Sequence, residues 1–367
     1  MKAPELDVLP LSSWINTNGN PLIIAGPCSA ETEEQVLETA RGIAAGGYAH
    51  VLRAGVWKPR TRPGLFEGNG EMALPWLQAA KAETGLPIAV EVATPQHVEL
   101  ALKYGVDVLW IGARTTVNPF NVQDLADSLQ GVDVPVLIKN PVNPDVQLWV
   151  GAVERIYRAG IRKLGVIHRG FSNTLEQKYR NTPYWNLAIE FKTAFPNIPM
   201  IGDPSHMAGK RVYLKELSQR ALDLNYDGMI IESHCNPDAA WSDAAQQLTP
   251  VALGEMLAEL EVRSLTSTDA VFQNQMDILR SKIDNTDREL IETLATRMGL
   301  VERLAKYKKE NNVTLFQPER WKEILETRSA MATKLGIYPE LVEEIYKIIH
   351  MDSIRKQTEV MNQQTAD

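Results

Sequence analysis

Between residues 21 and 235 the chain repeats one hydropathy cycle. A short, almost wholly apolar, β-branched run closes on turn residues and is followed by a longer stretch with apolar positions at helical spacing. The runs are PLIIAGPCS (21–29), AHVLRAGV (49–56), PIAVEVAT (87–94), DVLWIGAR (107–114), PVLIKNP (135–141), KLGVIHRG (163–170), PMIGDPSH (199–206) and DGMIIESHC (227–235). Segments such as TEEQVLETARGIAAGG, ATPQHVELALKYG and QLWVGAVERIYRAG lie between them, each ending near a glycine. Near-continuous apolar strands alternating with amphipathic helices predict a parallel sheet covered on its outer face. Eight such units in roughly 250 residues fit a closed (β/α)8 TIM barrel better than an open sheet.

From about Phe272 the strand signals vanish. Three helices are predicted, over 269–311, 317–335 and 339–361, with Thr268 or Asp269 as N-cap, Gly336 as a stop and Pro339 at the first helical position. The expected organisation is therefore an α/β barrel domain at 1–262, a linker at 263–270 built on RSLTSTD, and an all-α domain at 271–367. The first predicted helix, at about 60 Å, is longer than a compact domain of that size is wide, roughly 30 Å. Its stripe of Met276, Leu279, Ile283, Leu290, Leu294, Val301 and Leu304 needs a partner helix, so this domain is expected to form a homodimer, which leaves a tetramer open.

Composition narrows the class. With 44% hydrophobic and 23% charged residues the chain is globular, and a net charge of −8 argues against nucleic acid as a partner. Two cysteines make no disulfide framework. MKAPELDVLPLSSW lacks the apolar centre of a signal peptide, and no apolar run reaches membrane-span length, so a cytoplasmic location and no membrane partner are expected.

Chemistry in a barrel collects at the C-terminal strand ends. Cys28, Arg53, Glu91, Arg114, Lys139, Arg169, His206 and Glu232 lie at or just beyond the ends of the eight runs, one per run in order. A single such residue is an ordinary solvated strand end; eight in register point into one mouth. Arg53, Lys58, Arg60, Arg114, Lys139 and Arg169 place six cations there, more than rim ion pairs absorb, which implies small anionic substrates bearing phosphate or carboxylate. Cys28, His206, Glu232 and Asp243 mix soft, borderline and hard donors, the set expected of one divalent transition ion per barrel. Strand 8 neighbours strand 1 in a closed barrel, so those ligands can meet. Cys235 is the other thiol, and oxidation of the metal-free protein is expected to join it to Cys28.

GPCS, LRAGVWKPRTRP, IGAR, LIKN, HRGF, GDPSHMAGKR and IIESHCNPDAAWSD resemble, in order, the strand-end motifs of 3-deoxy-D-arabino-heptulosonate 7-phosphate (DAHP) synthases of the short type I-beta subtype. The resemblance spans about residues 15–260 and implies metal-dependent condensation of phosphoenolpyruvate with erythrose 4-phosphate, releasing phosphate, with Mn, Fe, Co or Zn as the ion. It assigns Cys28, His206, Glu232 and Asp243 to the metal. Arg53, Lys58, Arg114, Lys139 and Arg169 fall to phosphoenolpyruvate, and Arg60 with Thr61 to the sugar phosphate. Lys58 either donates a proton to the aldehyde oxygen or simply binds phosphate. The related octulosonate 8-phosphate synthases carry an Ala-Asn pair between the Lys and the Arg of this loop, whereas Lys58-Pro59-Arg60-Thr61 stands here, so the four-carbon sugar is preferred.

LRSKIDNTDRELIETLATR is similar to the opening helix of the all-helical (AroQ-type) chorismate mutases, a resemblance covering about 272–358. It implies that Arg297 and, from a partner chain, Arg280 bind the carboxylates of chorismate, that Lys308 and Gln357 face its ether oxygen, and that Arg320 and Ser353 also belong to the site. Arg297 and Lys308 are three turns apart on one face, whereas Arg280 is about 25 Å from Arg297 along the axis. One departure stands out. The family has Glu after the arginine of the second helix, to hold the substrate hydroxyl, and this chain has Trp321.

Two readings of the tail follow: a second enzyme in one pathway, or a dimerising and sensing module with weak mutase activity. Since no other sensor domain is present, feedback through the tail is expected. The barrel reaction should be inhibited by prephenate in the intact chain and not after deletion of the tail; identical rates throughout would remove the expectation.

Overall fold

The computed structural model describes residues 6–58, 64–173 and 178–363. Contacts divide the chain into two units, Met1–Leu265 and Thr266–Asp367. In the first, among the described residues, eight parallel strands close a barrel in chain order: β1 (Leu22–Gly26), β2 (Val51–Ala54), β3 (Ile88–Val92), β4 (Val108–Ile111), β5 (Val136–Lys139), β6 (Leu164–His168), β7 (Met200–Gly202) and β8 (Gly228–Glu232). The expected TIM-type fold is the one observed. Each strand is shorter than its apolar run, because pairing stops before the residues that turn into the mouth.

The period of two along each strand builds two cores. Leu22, Ile24, Val51, Ala89, Trp110, Leu137, Ile167, Ile201 and Ile230 fill the barrel interior, while Ile23, Ala25, Leu52, Val90, Leu109, Ile138, Val166 and Ile231 face the surrounding helices. Those helices are α1 (Glu33–Gly46), α2 (Leu74–Thr84), α3 (Pro95–Lys103), α4 (Ala113–Thr116), α5 (Pro119–Ser128), α6 (Val146–Arg158), α7 (Trp185–Ala194), α8 (Pro204–Ala208), α9 (Leu214–Asp223) and α10 (Pro250–Ala258). Their starts are fixed by side chains that accept from otherwise orphaned amides: Thr32 for α1, Thr94 for α3, Asn118 for α5, Asp145 for α6 and Thr249 for α10.

Residues 260–269 carry neither helix nor strand. In the second unit Asp269 caps α11 (Ala270–Glu310) by accepting from the amides of Val271 and Phe272. α12 (Pro318–Lys334) and α13 (Pro339–Asn362) follow. Gly336, at φ 72°, ends the second helix in the left-handed region, as expected of a C-terminal stop. The later part of α11 lies along α13, with Arg297 reaching Ser353 and Lys309 reaching the Val360 carbonyl. Only Val301, Ala305 and Lys308 of α11 are buried, and Leu279, Ile283, Leu290 and Leu304 of the predicted stripe stand at least half exposed. No helix among the described residues is long and apolar enough to cross a membrane.

Candidate active sites

The β1–β8 seam puts Gly26 opposite Glu232, so the turn after β1 delivers Cys28 beside the end of β8. One donor atom each from Cys28, Glu232 and Asp243 lies within 4.8 Å of the others. His206, on α8, brings Nε2 to 3.6 Å from Glu232 Oε1. Cys28 Sγ is 3.3 Å from Asp243 Oδ2 and accepts from Lys58 Nζ at 2.9 Å. Burial, and then the nearby Glu232 carboxylate, push the Cys28 thiol up to about 12.

A divalent cation fits this donor set. Glu232 Oε1 is buried without a hydrogen-bond donor among the described residues. A positive ion there would satisfy that oxygen and reverse the penalty on the thiolate. Asp243 itself is at φ 49°, an uncommon conformation for a non-glycine residue. Arg180 donates to its Oδ1 at 3.0 Å, fixing the carboxylate from the outer side.

Cations line the same mouth. Arg53 is 2% exposed, lies 3.5 Å from Glu232 Oε1, and has its guanidinium carbon 5.0 Å from the centre of the Trp110 ring. Its Nε and NH1 are buried and have no acceptor among the described residues. Lys139 Nζ donates to Asp203 Oδ2 at 2.9 Å, and Arg169 donates to Asn181 Oδ1 at 2.8 Å. Burial lowers Arg169 to about 10, and the neighbouring Arg180 and Arg114 push in the same direction against Asp203. Arg114 itself is exposed, on α4. Arg60 and Thr61 lie outside the described residues.

Several groups that organise this mouth escaped the strand-end reasoning. Asp203 is fully buried and takes three donors: Lys139 Nζ, the His206 amide at 3.1 Å and His206 Nδ1 at 3.0 Å. Burial works against its charge, but His206 and Lys139 outweigh that and hold its carboxyl well below the usual range. With Nδ1 given to Asp203, the lone pair of His206 Nε2 is left facing Glu232. Asn181 accepts from Arg169 and donates to the His206 carbonyl at 2.6 Å, joining a cation to a candidate ligand. Gln247 accepts from the Cys28 amide and Gln246 donates to Glu232 Oε2. GDPSH carries a signal for Asp203, an N-cap three residues before the histidine. Asn181 and Gln247 sit in loops and Gln246 in a short 3-10 turn, without any local pattern. Cys235 is a free thiol with its sulfur 3.9 Å from the Gln35 carbonyl and 3.8 Å from His234 Nδ1, neighbours that differ from those of Cys28.

In the helical unit Arg297 donates to Ser353 Oγ at 2.7 Å. Lys308 is 7% exposed, donates to the Leu315 carbonyl at 2.7 Å, and is lowered by that burial. Gln357 donates to the Ser353 carbonyl and leaves Oε1 buried without a partner among the described residues. Arg297 of α11 thus meets Ser353 of α13, and Lys308 and Gln357 are buried on the same two helices. Two others are not brought to them: Arg280 is exposed beside Asp277, and Arg320 pairs with Glu323 on the exposed side of α12.

A closed parallel barrel with a Cys/His/Glu/Asp donor set among buried cations defines a TIM-type enzyme acting on small anions. The family model described as the DAHP synthetase I family matches residues 8–266, and the chain belongs to that family. A chorismate mutase type II domain follows at 279–358. The phospho-2-dehydro-3-deoxyheptonate aldolase of Thermotoga maritima is 33% identical over 258 residues, 70% of this chain and 74% of that one. Its crystal structure superposes with a TM-score of 0.62 at 32% identity, covering 70% of this chain and 73% of that one. The 2-dehydro-3-deoxyphosphooctonate aldolase of Desulfatibacillum aliphaticivorans is 30% identical over 65% of this chain and 90% of its own. The tail is similar to part of the T-protein of Haemophilus influenzae, 37% identical over 76 residues, 21% of this chain and 20% of that protein. DAHP synthases are generally metal-dependent, which agrees with the donor set found here.

Replacing Asp203 by Asn should lower divalent-ion affinity by about 10- to 100-fold if His206 is a ligand, because the charged outer partner of that histidine is lost. Competition with a chromogenic chelator measures it; unchanged affinity would leave Asp203 a merely structural carboxylate.

Proposed function

We propose that the chain is a bifunctional enzyme of the aromatic amino-acid pathway. The barrel condenses phosphoenolpyruvate with erythrose 4-phosphate to DAHP and phosphate, and the helical unit rearranges chorismate to prephenate. The observation that carries the barrel reading is Arg53: an almost fully buried cation with two unpaired donors, 3.5 Å from a candidate metal carboxylate. A buried charge with free donors is costly unless an anion comes to it. Arg53, Lys139 and Arg169, with exposed Arg114, supply the field that draws in phosphate and carboxylate and holds phosphoenolpyruvate beside the donor set. Arg60 and Thr61 are assigned to the sugar phosphate.

The residues that would hold the ion are Cys28, His206, Glu232 and Asp243, a donor set suited to Mn, Fe, Co or Zn. When bound, a divalent ion supplies Lewis acidity at the aldehyde oxygen. Lys58 has three ammonium protons within the site and is raised above the usual lysine value: burial opposes its charge, and Cys28 and Glu232 outweigh that. It is therefore a charged donor able to hand a proton to the aldehyde oxygen as the new bond forms. The octulosonate-type relatives share the barrel; Lys58-Pro59-Arg60-Thr61 supports the four-carbon sugar.

In the tail, Arg297, Lys308, Ser353 and Gln357 form the half-site. Lys308 and Gln357 face the breaking ether bond and stabilise its charge without covalent catalysis. Arg280 completes the site from a second chain, a reading supported by the exposed stripe on α11, which a homodimer would cover. Prephenate feedback and a cytoplasmic location belong to the same proposal, which leaves a tetramer open.

The activities should separate cleanly. Removal of metal with EDTA abolishes condensation and leaves chorismate consumption intact, whereas Arg297→Ala does the reverse, with a loss of about 100-fold or more in chorismate turnover. Parallel assays of phosphate release and chorismate absorbance check both; a joint loss in either arm contradicts two independent sites. Arg280→Ala and Arg297→Ala chains, each inactive alone, should regain about a quarter of the mutase activity when mixed at equal amounts, since half the random dimers then hold one intact site. No recovery after subunit exchange would place Arg280 in the site of its own chain, or outside any site.

A further inference from the structure

By the resemblance to the all-helical chorismate mutases, Trp321 stands where that family has the glutamate assigned to the substrate hydroxyl. Its ring stacks on His350, with centroids 4.1 Å apart and planes 15° from parallel. Phe316 flanks the same imidazole at 5.9 Å. His350 Nε2 is buried with no hydrogen-bond partner among the described residues. A buried ring nitrogen without a partner is costly unless a ligand supplies one.

Its position is that of the proposed site. On α13, His350, Ser353 and Gln357 occur at i, i+3 and i+7, hence on one face. Ser353 receives Arg297, and Gln357 carries the other unpartnered buried atom of that face. Burial, and then Arg297 and Lys308, hold His350 below the usual imidazole value, which favours the neutral ring at pH 7. A neutral imidazole offers a donor at one nitrogen and an acceptor at the other, which matches a hydroxyl and does not compete with Arg297 for a carboxylate.

We propose that His350 binds the ring hydroxyl of chorismate in place of the absent glutamate, and that Trp321 is the positioning residue that fixes the imidazole plane. The inference rests on the mutase reading above. It changes the meaning of the departure: Trp321 supports a substitute contact rather than marking a weakened site. Loss of a single neutral hydrogen bond predicts a change in substrate grip, with the arginine and lysine that act on the carboxylates and ether oxygen untouched.

The test uses the full-length chain as wild type, Arg297→Ala, His350→Phe and His350→Gln. His350→Phe keeps an aromatic ring against Trp321 and removes both nitrogens; His350→Gln restores a donor and an acceptor. The expected result is a KM for chorismate raised about tenfold in His350→Phe with kcat nearly unchanged, and largely recovered in His350→Gln. Inhibition by the chorismate analogue lacking the ring hydroxyl should be the same in wild type and His350→Phe. Equal weakening of chorismate and this analogue would overturn the proposal in favour of a packing role, as would a wild-type KM in His350→Phe. If the wild-type chain does not consume chorismate, the mutase reading fails and takes this inference with it. Activity lost in Arg297→Ala while His350→Phe is unaffected sinks the inference alone.

Discussion

The pairing of β1 with β8 is the constraint on which the larger site depends. With Gly26 opposite Glu232, the backbone leaving β1 turns directly across the end of β8, and a Cβ on Gly26 would run into the Arg53 carbonyl of β2. Gly26 also has φ 151°, a backbone region that only glycine enters without strain. The turn therefore passes where a larger residue could not, and Cys28 arrives beside Glu232. The long loop after β8 then folds back: Gln247 accepts from the Cys28 amide and donates to the Ser242 carbonyl, and the hydroxyls of Ser29 and Ser242 meet. Asp243 is thereby held beside a cysteine far from it in sequence.

Once the mouth is closed, its charges hold one another in place. Arg53, Lys139, Asp203 and Glu232 are all nearly inaccessible, and a lone charge at that depth would neutralise or disrupt the fold. Asp203 answers Lys139 and His206 together, and the Trp110 face lies beneath both Arg53 and Lys139. Trp110 is anchored in turn through Nε1 to Glu91. Among the described residues, Arg53 Nε and NH1 and Glu232 Oε1 are the buried atoms of this network left without a partner, an unfilled donor group and an unfilled acceptor side by side. Those gaps call for an anion and a cation respectively, which is the pairing of ligands that the condensation needs.

What the sequence reveals follows from how local each cause is. The barrel was legible because eight β-branched runs and the helices between them carry their own periods, and the caps at Asp269 and Gly336 are single-residue signals. Cys28, Lys139, Arg169 and Glu232 were legible because a strand end fixes where a side chain points. Asn181, Gln246 and Gln247 were not, since each acts through a tertiary contact outside its own element, and nothing in neighbouring residues records such a contact. Asp203 falls between these cases: its capping role is local, whereas its bond to Lys139 is set by the packing of β5 against its neighbours. The aromatic partner of Trp321 was hidden for the same reason, being 29 positions away on another helix.

The two sites solve one electrostatic problem with different means. The barrel gathers its cations within a single closed sheet, where depth alone strips water from Arg53 and Lys139 and strengthens their hold on an anion. Among the described residues the helical unit has three helices, too few to enclose a comparable pocket. It sinks Lys308, Ser353 and Gln357 along the α11–α13 contact but leaves Arg280 in solvent, about 25 Å up the helix from Arg297. In the dimer proposed above, the exposed apolar residues of α11 would have a chemical purpose as well as a structural one. Covering Leu279, Ile283 and Leu290 with a second helix would dry the site and carry a second arginine into reach in the same step, so dimerisation and completion of the mutase site become one event.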